Sequence, residues 1–298
     1  WARYLTVSVD VQGTYFSVGV TAWGENGRHM PIDRFDIVTL PGAGEGRRLK
    51  PFEVAEDWEV LAPLAGRSWP VVGSDARLTA VALAIDLHGG GATTDNAYRF
   101  YRGRRREGQA GLWYLTRGEG GLKKADRVWL KAPEAASEKN RRRRVAKDIG
   151  ILFMAVDRLK DAVAASLRAE DDMVNACLIP DWMTPEELAE FTAERHTPGG
   201  WEKRPGIVRN ESLDHLVQAR AVHIIKGAER IDWSAPAFWA RWSAENPHLL
   251  QPEVPDERED DADREAAEVS EEHTTDEPKR PVAPPRAPIS APGRGGWI

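Results

Sequence analysis

A single cysteine, Cys177, stands in 298 residues, which excludes an intrachain disulfide and any metal knuckle built from several thiolates. Its apolar neighbours lead us to expect a buried, inert thiol. No stretch approaches the roughly 18 uninterrupted apolar residues that a membrane helix needs, and no charged-then-apolar signal segment opens the chain. The expectation is a soluble, intracellular protein with no membrane partner. The chain contains no Gly-x-x-x-x-Gly-Lys-Ser/Thr; "GAGEGRR" has the glycines without the lysine and hydroxyl that hold phosphate and Mg²⁺, so it reads as a flexible loop. Tryptophan in place of methionine at position 1 points to an excised fragment.

Acidic residues outnumber basic ones, 47 to 41, but unevenly. From Gln251 onward there are thirteen acids against six bases, so the preceding 250 residues are close to neutral. That last segment is acidic, Pro-rich and nearly free of aromatics, the composition of a disordered tail. We expect one domain over residues 1–250 and a tail over 251–298. Within the domain the positive charge is clustered at Arg102 and Arg104 to Arg106, at Lys123 and Lys124, and at "KNRRRRVAK" with Arg141, Arg142, Arg143 and Arg144. Such clusters suit a polyanion, although many are only solvated faces.

The first forty residues read as a three-strand antiparallel meander, Leu5 to Val11, Tyr15 to Trp23 and Met30 to Val38, with turns at Gln12-Gly13-Thr14 and Glu25-Asn26-Gly27. A helix entered through Pro51 is expected over "PFEVAEDWEVLAPLAG". "TAVALAIDL" is a nearly continuous apolar run and should be a strand buried on both faces. A helix "NAYRFYRGRR" capped by Thr94 or Asp95 follows, then strands "GLWYLTRG" and "DIGILFMAVD". Beyond them come a helix "RLKDAVAASLRAE", another over "TPEELAEFTAERH" with a Thr184/Glu187 capping box, a short strand at "GIV", and a long helix from Glu211 to Lys226 stopped by Gly227. A last helical piece spans Ala235 to Ser243. The pattern describes an α/β fold, a mixed sheet flanked by helices.

In such sheets ligands gather at strand ends, which directs attention to five carboxylates. Asp10 sits in the first strand, opposite its apolar positions; Asp86 and Asp157 end two inner strands; Glu211 and Asp214 lie three apart at the start of the long helix and share a face. Each has an ordinary alternative: an exposed strand face for Asp10, a turn start for Asp86, a helix cap for Asp157, and first-turn dipole partners for the last two. If Asp10, Asp86 and Asp214 converge, a cation must neutralise them, and oxygen ligands with few histidines favour Mg²⁺ or Mn²⁺ over zinc. His88 and His215, beside two of these acids, read more readily as surface or packing residues.

The segments "LTVSVDVQGTYFSVGVTAWG", "ALAIDLHGGGATTDNAYRFYRGR", "TPEELAEFTAERH" and "RNESLDHLVQARAVHI", in that order, resemble the nuclease region of the phage lambda-type terminase large subunit. The resemblance covers about Leu5 to Gly227. It implies an RNase H-like fold and a two-metal endonuclease, using Mg²⁺ or Mn²⁺, that cuts concatemeric double-stranded DNA during packaging. It places Asp10, Asp86 and Asp214 on the metal-binding acids, with Glu211 and Asp157 as auxiliary acids. The family often shows "DSGG" where this chain has "DLHGG". It also implies a phage protein in the host bacterial cytoplasm, with the portal or prohead, the small subunit and an ATPase domain of the same polypeptide as partners. Two other readings remain open: an RNase H-like junction resolvase or transposase-type nuclease, and a non-catalytic DNA- or portal-docking module.

Overall fold

The computed structural model describes residues 1–40, 46–120, 126–133, 149–207 and 209–251. The meander forms as expected: β1 (Tyr4–Val11), β2 (Phe16–Trp23) and β3 (His29–Ile37) pair antiparallel. A short strand, β4 (Ser68–Pro70), leads into β5 (Arg77–Asp86), which runs parallel to β1 and to β6 (Trp113–Glu119). Strand β7 (Val128–Lys131) pairs antiparallel with β8 (Ile151–Ala155), and β8 lies parallel to β6. The order across the sheet is β3-β2-β1-β5-β6-β8-β7, with β4 and a final pair of residues, Leu249–Leu250, attached to β5. Three antiparallel strands continuing into parallel ones through β1 constitute an RNase H-like mixed sheet.

Both faces of the sheet are covered. Val7, Val9, Phe16, Leu83 and Ile85 pack on one side against residues of α1 (Thr93–Arg106) and of the segment Ala55–Ala65. On the other side Tyr4, Trp23, Ala82 and Ala84 meet α2 (Val156–Ser166) and α4 (Glu211–Ile225); the short α3 is Pro185–Glu190. Because α4 lies against β1, the polar face of that strand is not open: Thr6 and Ser8 are buried, and Ser8 Oγ donates to the carbonyl of His215. Gly19 of β2 makes the approach possible, since a Cβ there would stand 2.7 Å from His215 Cγ. Cys177 is buried, with its thiol pushed up to about 12 by burial. No helix among the described residues is long and apolar enough to cross a membrane.

Several local expectations change. The segment after Pro51 winds as a 3₁₀ helix, not an α-helix. Asp57 accepts from Arg47 and from the Lys50 N–H, Trp58 Nε1 donates to the Pro51 carbonyl, and Pro63 has no N–H for an i−4 bond, so the turns tighten. Helix α1 starts at Thr93, and neither Thr94 nor Asp95 caps it; Thr93 Oγ donates to the Gly90 carbonyl instead. The Thr184/Glu187 capping box is present, but α3 stops at Glu190, and "ERHT" is a strand, β9 (Glu194–Thr197), in a hairpin with β10 (Gly200–Lys203). In "GIV" Gly206 and Ile207 lie outside any strand and Val208 is outside the described residues, and of the last expected helical piece only Phe238–Ala240 is helical, as a single 3₁₀ turn. Strand β7 has no counterpart in the sequence reading. Arg141 to Arg144 and the tail beyond Gln251 lie outside the described residues.

Candidate active site

Parallel strands point their carboxyl ends the same way, and that end of the sheet is where the acids meet. Val9 of β1 pairs with Ile85 of β5, which places Asp10 beside Asp86, the last residue of its strand. Asp157 follows β8 in the first turn of α2, and Asp214 lies in the first turn of α4. A cavity of about 500 Å³ is lined by Asp10, Asp86, Asp157 and Asp214, together with His88, Lys160 and Trp201. Glu211 is not part of that lining. Its carboxylate faces Arg209 Nε at 3.1 Å and Arg34 at 3.8 Å, and accepts a long bond from Tyr15 Oη.

Burial, repulsion from Asp86, and a further push from Glu211 raise the Asp10 carboxyl to about 6, against the Gln12 Nε2 bond to Asp10 Oδ2 at 2.6 Å and the Val11 backbone bond. Asp214 opens on the cavity but is walled in by protein. Burial raises its carboxyl to about 7, with Lys160 opposing and Asp10, Glu194 and Asp86 adding to the rise. Its Oδ2 accepts from Asn210 Nδ2 at 2.7 Å, and its Oδ1 stands 3.7 Å from Lys160 Nζ. Lys160 is itself buried and donates to both oxygens of Glu194, at 2.7 and 2.6 Å. Asp157 accepts the Trp201 N–H at 2.8 Å. Gly200 permits this contact: at φ +120°, a Cβ there would lie 2.7 Å from Asp157 Oδ1.

His88 Nδ1 lies 3.2 Å from Asp86 Oδ1, a contact that raises its pKa, with burial opposing. His215 is a packing residue: it is buried, pushed down to about 3 by burial, and its Nε2 lies 3.1 Å from Ser17 Oγ. Of the arginines expected at DNA, Arg104 is held by Glu59 and Glu107, both at 2.9 Å, while Arg105 and Arg106 are exposed in the last turn of α1.

Sequence reasoning missed Gln12, Lys160, Glu194, Asn210 and Trp201. Three of these had local signals. Gln12 is two residues from Asp10, on the same side of the chain; Lys160 is one helical turn past Asp157; Asn210 is four residues before Asp214. Glu194 and Trp201 reach the site only through the hairpin, which no periodicity announced.

Among the described residues, no three His, Cys, Asp or Glu side chains form a ready-made metal-coordinating group. The donor chemistry nevertheless fits a hard divalent cation. Two desolvated carboxyls are pushed upward partly by their neighbours, and oxygen is the donor such ions take. A family model described as "Terminase large subunit gpA, endonuclease domain" matches residues 1–233. The chain belongs to this family. No curated protein matches it. Among solved structures, the large terminase nuclease domain of bacteriophage SPP1, determined with bound Mn, aligns at 10% identity and a TM-score of 0.31, covering 75% of this chain and 86% of that one. In this terminase nuclease domain the acids lie at one end of the mixed sheet described above.

Proposed function

We propose that this terminase domain is a divalent-metal-dependent endodeoxyribonuclease that hydrolyses phosphodiester bonds of concatemeric double-stranded DNA during genome packaging. The observation that carries the reading is the convergence of Asp10, Asp86 and Asp214, from β1, β5 and α4, on one cavity where burial first, and then neighbouring acids, disfavour the charged forms of Asp10 and Asp214. These three acids would hold two Mg²⁺ or Mn²⁺ ions, and their charges interact across the cavity. Bound ions of this kind supply activation of a water and stabilise charge on the leaving oxygen.

The chain's own groups do the positioning. Gln12 fixes one oxygen of Asp10, and Asn210 fixes one oxygen of Asp214. Lys160 keeps a positive charge near Asp214 and neutralises Glu194, so the charge to be balanced by added cations is confined to the acids at the cavity. Asp157 is an auxiliary acid oriented by the hairpin, and Glu211 acts on Asp10 through space. His88 is placed to orient Asp86. Arg105, Arg106 and Arg141 to Arg144 would contact phosphates without reading bases. Residues 1–250 would be the nuclease domain and 251–298 a tail that engages the portal or prohead; an ATPase domain and the small subunit would restrain cutting.

Supercoiled plasmid incubated with the purified chain and Mn²⁺ should be nicked and linearised, and chelator should stop it. Absence of metal-dependent cleavage over a range of Mg²⁺ and Mn²⁺ concentrations would overturn the reading in favour of a docking module. Strong preference for four-way junctions over linear duplex would replace the packaging substrate with a resolvase substrate.

A further inference from the structure

A second cavity of about 710 Å³, sharing Trp201 of the β9–β10 hairpin with the first, is lined by residues of α2, of the chain that follows α3 and of the hairpin. Three arginines line it: Arg168 just beyond α2, Arg195 in β9 and Arg204 just beyond β10. All three are exposed, and among the described residues none has an acidic side chain within ion-pair distance. This differs from α1, where Arg104 is held by two glutamates. The acids at this second cavity are already engaged. Glu194 is paired with Lys160 and accepts from Asn210, and Asp161 accepts from Trp201 Nε1 at 2.9 Å and stands 3.8 Å from His196. Leu167 and Phe191 supply an apolar wall.

Three guanidinium groups lining a cavity whose carboxylates are engaged by other partners repel one another, and an anion placed between them relieves that repulsion. The guanidinium fork matches a phosphate better than it matches a point charge. The location adds a direction. Trp201 lines both cavities, and α2 runs from Asp157 and Lys160 at the carboxylates to Asp161 and Ala164 at the arginines. From Asp157 to Arg168 is eleven residues, about 16 Å at helical rise, which corresponds to roughly five base-pair steps of duplex.

We infer that the Arg168–Arg195–Arg204 cavity is a second DNA-contact surface, holding backbone phosphates of the duplex whose scissile bond lies at the carboxylates; the inference rests on the endonuclease reading above. It makes Trp201 of the hairpin a wall common to cutting site and clamp. The clamp grips the backbone and carries no sequence preference of its own.

The test uses the full chain with Asp10→Asn, so that bound DNA is not cut, and measures binding of a fluorescent 30-base-pair duplex over a series of salt concentrations. Replacing the three arginines by alanine should weaken binding at least tenfold at low salt and flatten the log affinity against log salt slope by about 2.7, since each phosphate contact contributes about 0.9. Lysine at the three positions should restore most of the slope, because charge rather than fold is removed. An alanine variant that keeps the parent affinity and slope overturns the inference, and would leave the arginines to an acidic protein segment. Plasmid nicking by the chain with native Asp10 separates the two readings. Nicking with an unmoved slope removes the clamp alone; arginine-dependent binding without metal-dependent nicking removes the endonuclease and leaves the clamp; no duplex binding at all removes both.

Discussion

Asp10 and Asp86 are neighbours across a parallel strand pair, fixed by the register that sets Val9 opposite Ile85. Two carboxylates so placed on central strands stay close, and burial first, then this repulsion, raises the pKa of Asp10. Asp10→Asn removes the charge and keeps the shape. Metal-dependent plasmid cleavage should fall by more than the roughly 10–100-fold typical of losing a mere supporting partner. Thermal stability should be unchanged or higher, because one member of a repelling pair is gone. Parent-rate nicking by the purified variant would remove Asp10 from the site.

Lys160 and Glu194 form a buried ion pair beside Asp214. Lys160→Met should destabilise the fold by about 3–5 kcal/mol, since it strands a buried carboxylate. Adding Glu194→Leu should recover most of that loss, because replacing both charges by apolar groups removes the stranded charge. Urea denaturation of the two single variants and the double variant closes the cycle. Additive losses would show that the pair is not coupled.

Helix α4 carries Asp214, yet its N-cap residue Asn210 makes no capping bond; its amide serves Glu194 and Asp214. The cap comes from α3 instead. Glu190 accepts from the Ser212 N–H at 2.8 Å and pairs with Arg34 at 2.8 Å. Burial alone would raise its pKa, but Arg34 and Ser212 outweigh that and hold it low. Glu190→Ala should cost about 3 kcal/mol, leaving the Ser212 N–H without this acceptor and taking from a largely buried guanidinium its nearest carboxylate. Cleavage should fall more at limiting than at saturating Mn²⁺, because the start of α4 positions Asp214.

His223 stacks on Trp23 at 4.2 Å between ring centroids and lies 2.7 Å from Tyr4 Oη. Burial first, then the positive charge of Arg220, lowers its pKa from 6.5 to about 2; His29, on Trp23 as well, is lowered to about 4. Between about 2 and 6.5 the unfolded chain binds a proton at position 223 that the folded chain does not. His223 therefore favours folding less and less as pH falls below 6.5. In His223→Phe the slope of unfolding free energy against pH, from pH 6 to 4, should be smaller than in the parent by about 1.4 kcal/mol per pH unit. All other titrating groups are common to both proteins, so the difference isolates this histidine; equal slopes would show that it titrates in the folded state.

Much of this architecture is legible in the chain itself, for definable reasons. Alternation from Leu5 to Val11 and turn residues at Gln12-Gly13 specify paired strands, because a strand's side chains alternate and glycine permits the reversal. The run Ala80 to Ile85 specifies a strand covered on both faces. The capping box at Thr184 and Glu187 started a helix where it should. These are local rules, and they hold where local preference and burial agree.

They fail where a distant partner overrides them. The helix expected through "FTAERH" ends at Glu190 because Glu194 to Thr197 is drawn into a hairpin with Gly200 to Lys203. The polar face of β1 looked open because a periodicity of two cannot show that α4 will lie across it. Glu211 and Asp214 share a helix face on paper, yet the arginines at 34 and 209 draw Glu211 out of the cavity lining.

The sequence by itself determined the antiparallel meander, the inner strands β5, β6 and β8, the long helix α4, the identity of the candidate acids and, through four ordered segments, the family. Only the tertiary structure decided which acids meet, that Lys160, Asn210 and Gln12 hold them, and that, among the described residues, Arg104 has acidic partners while Arg168, Arg195 and Arg204 have none. The reason is physical. Secondary structure answers to neighbours within a few positions, whereas the charge state and partner of a side chain answer to whatever the fold brings within a few ångströms, and here those groups come from β1, β5, α2, α4 and a hairpin nearly two hundred residues from Asp10.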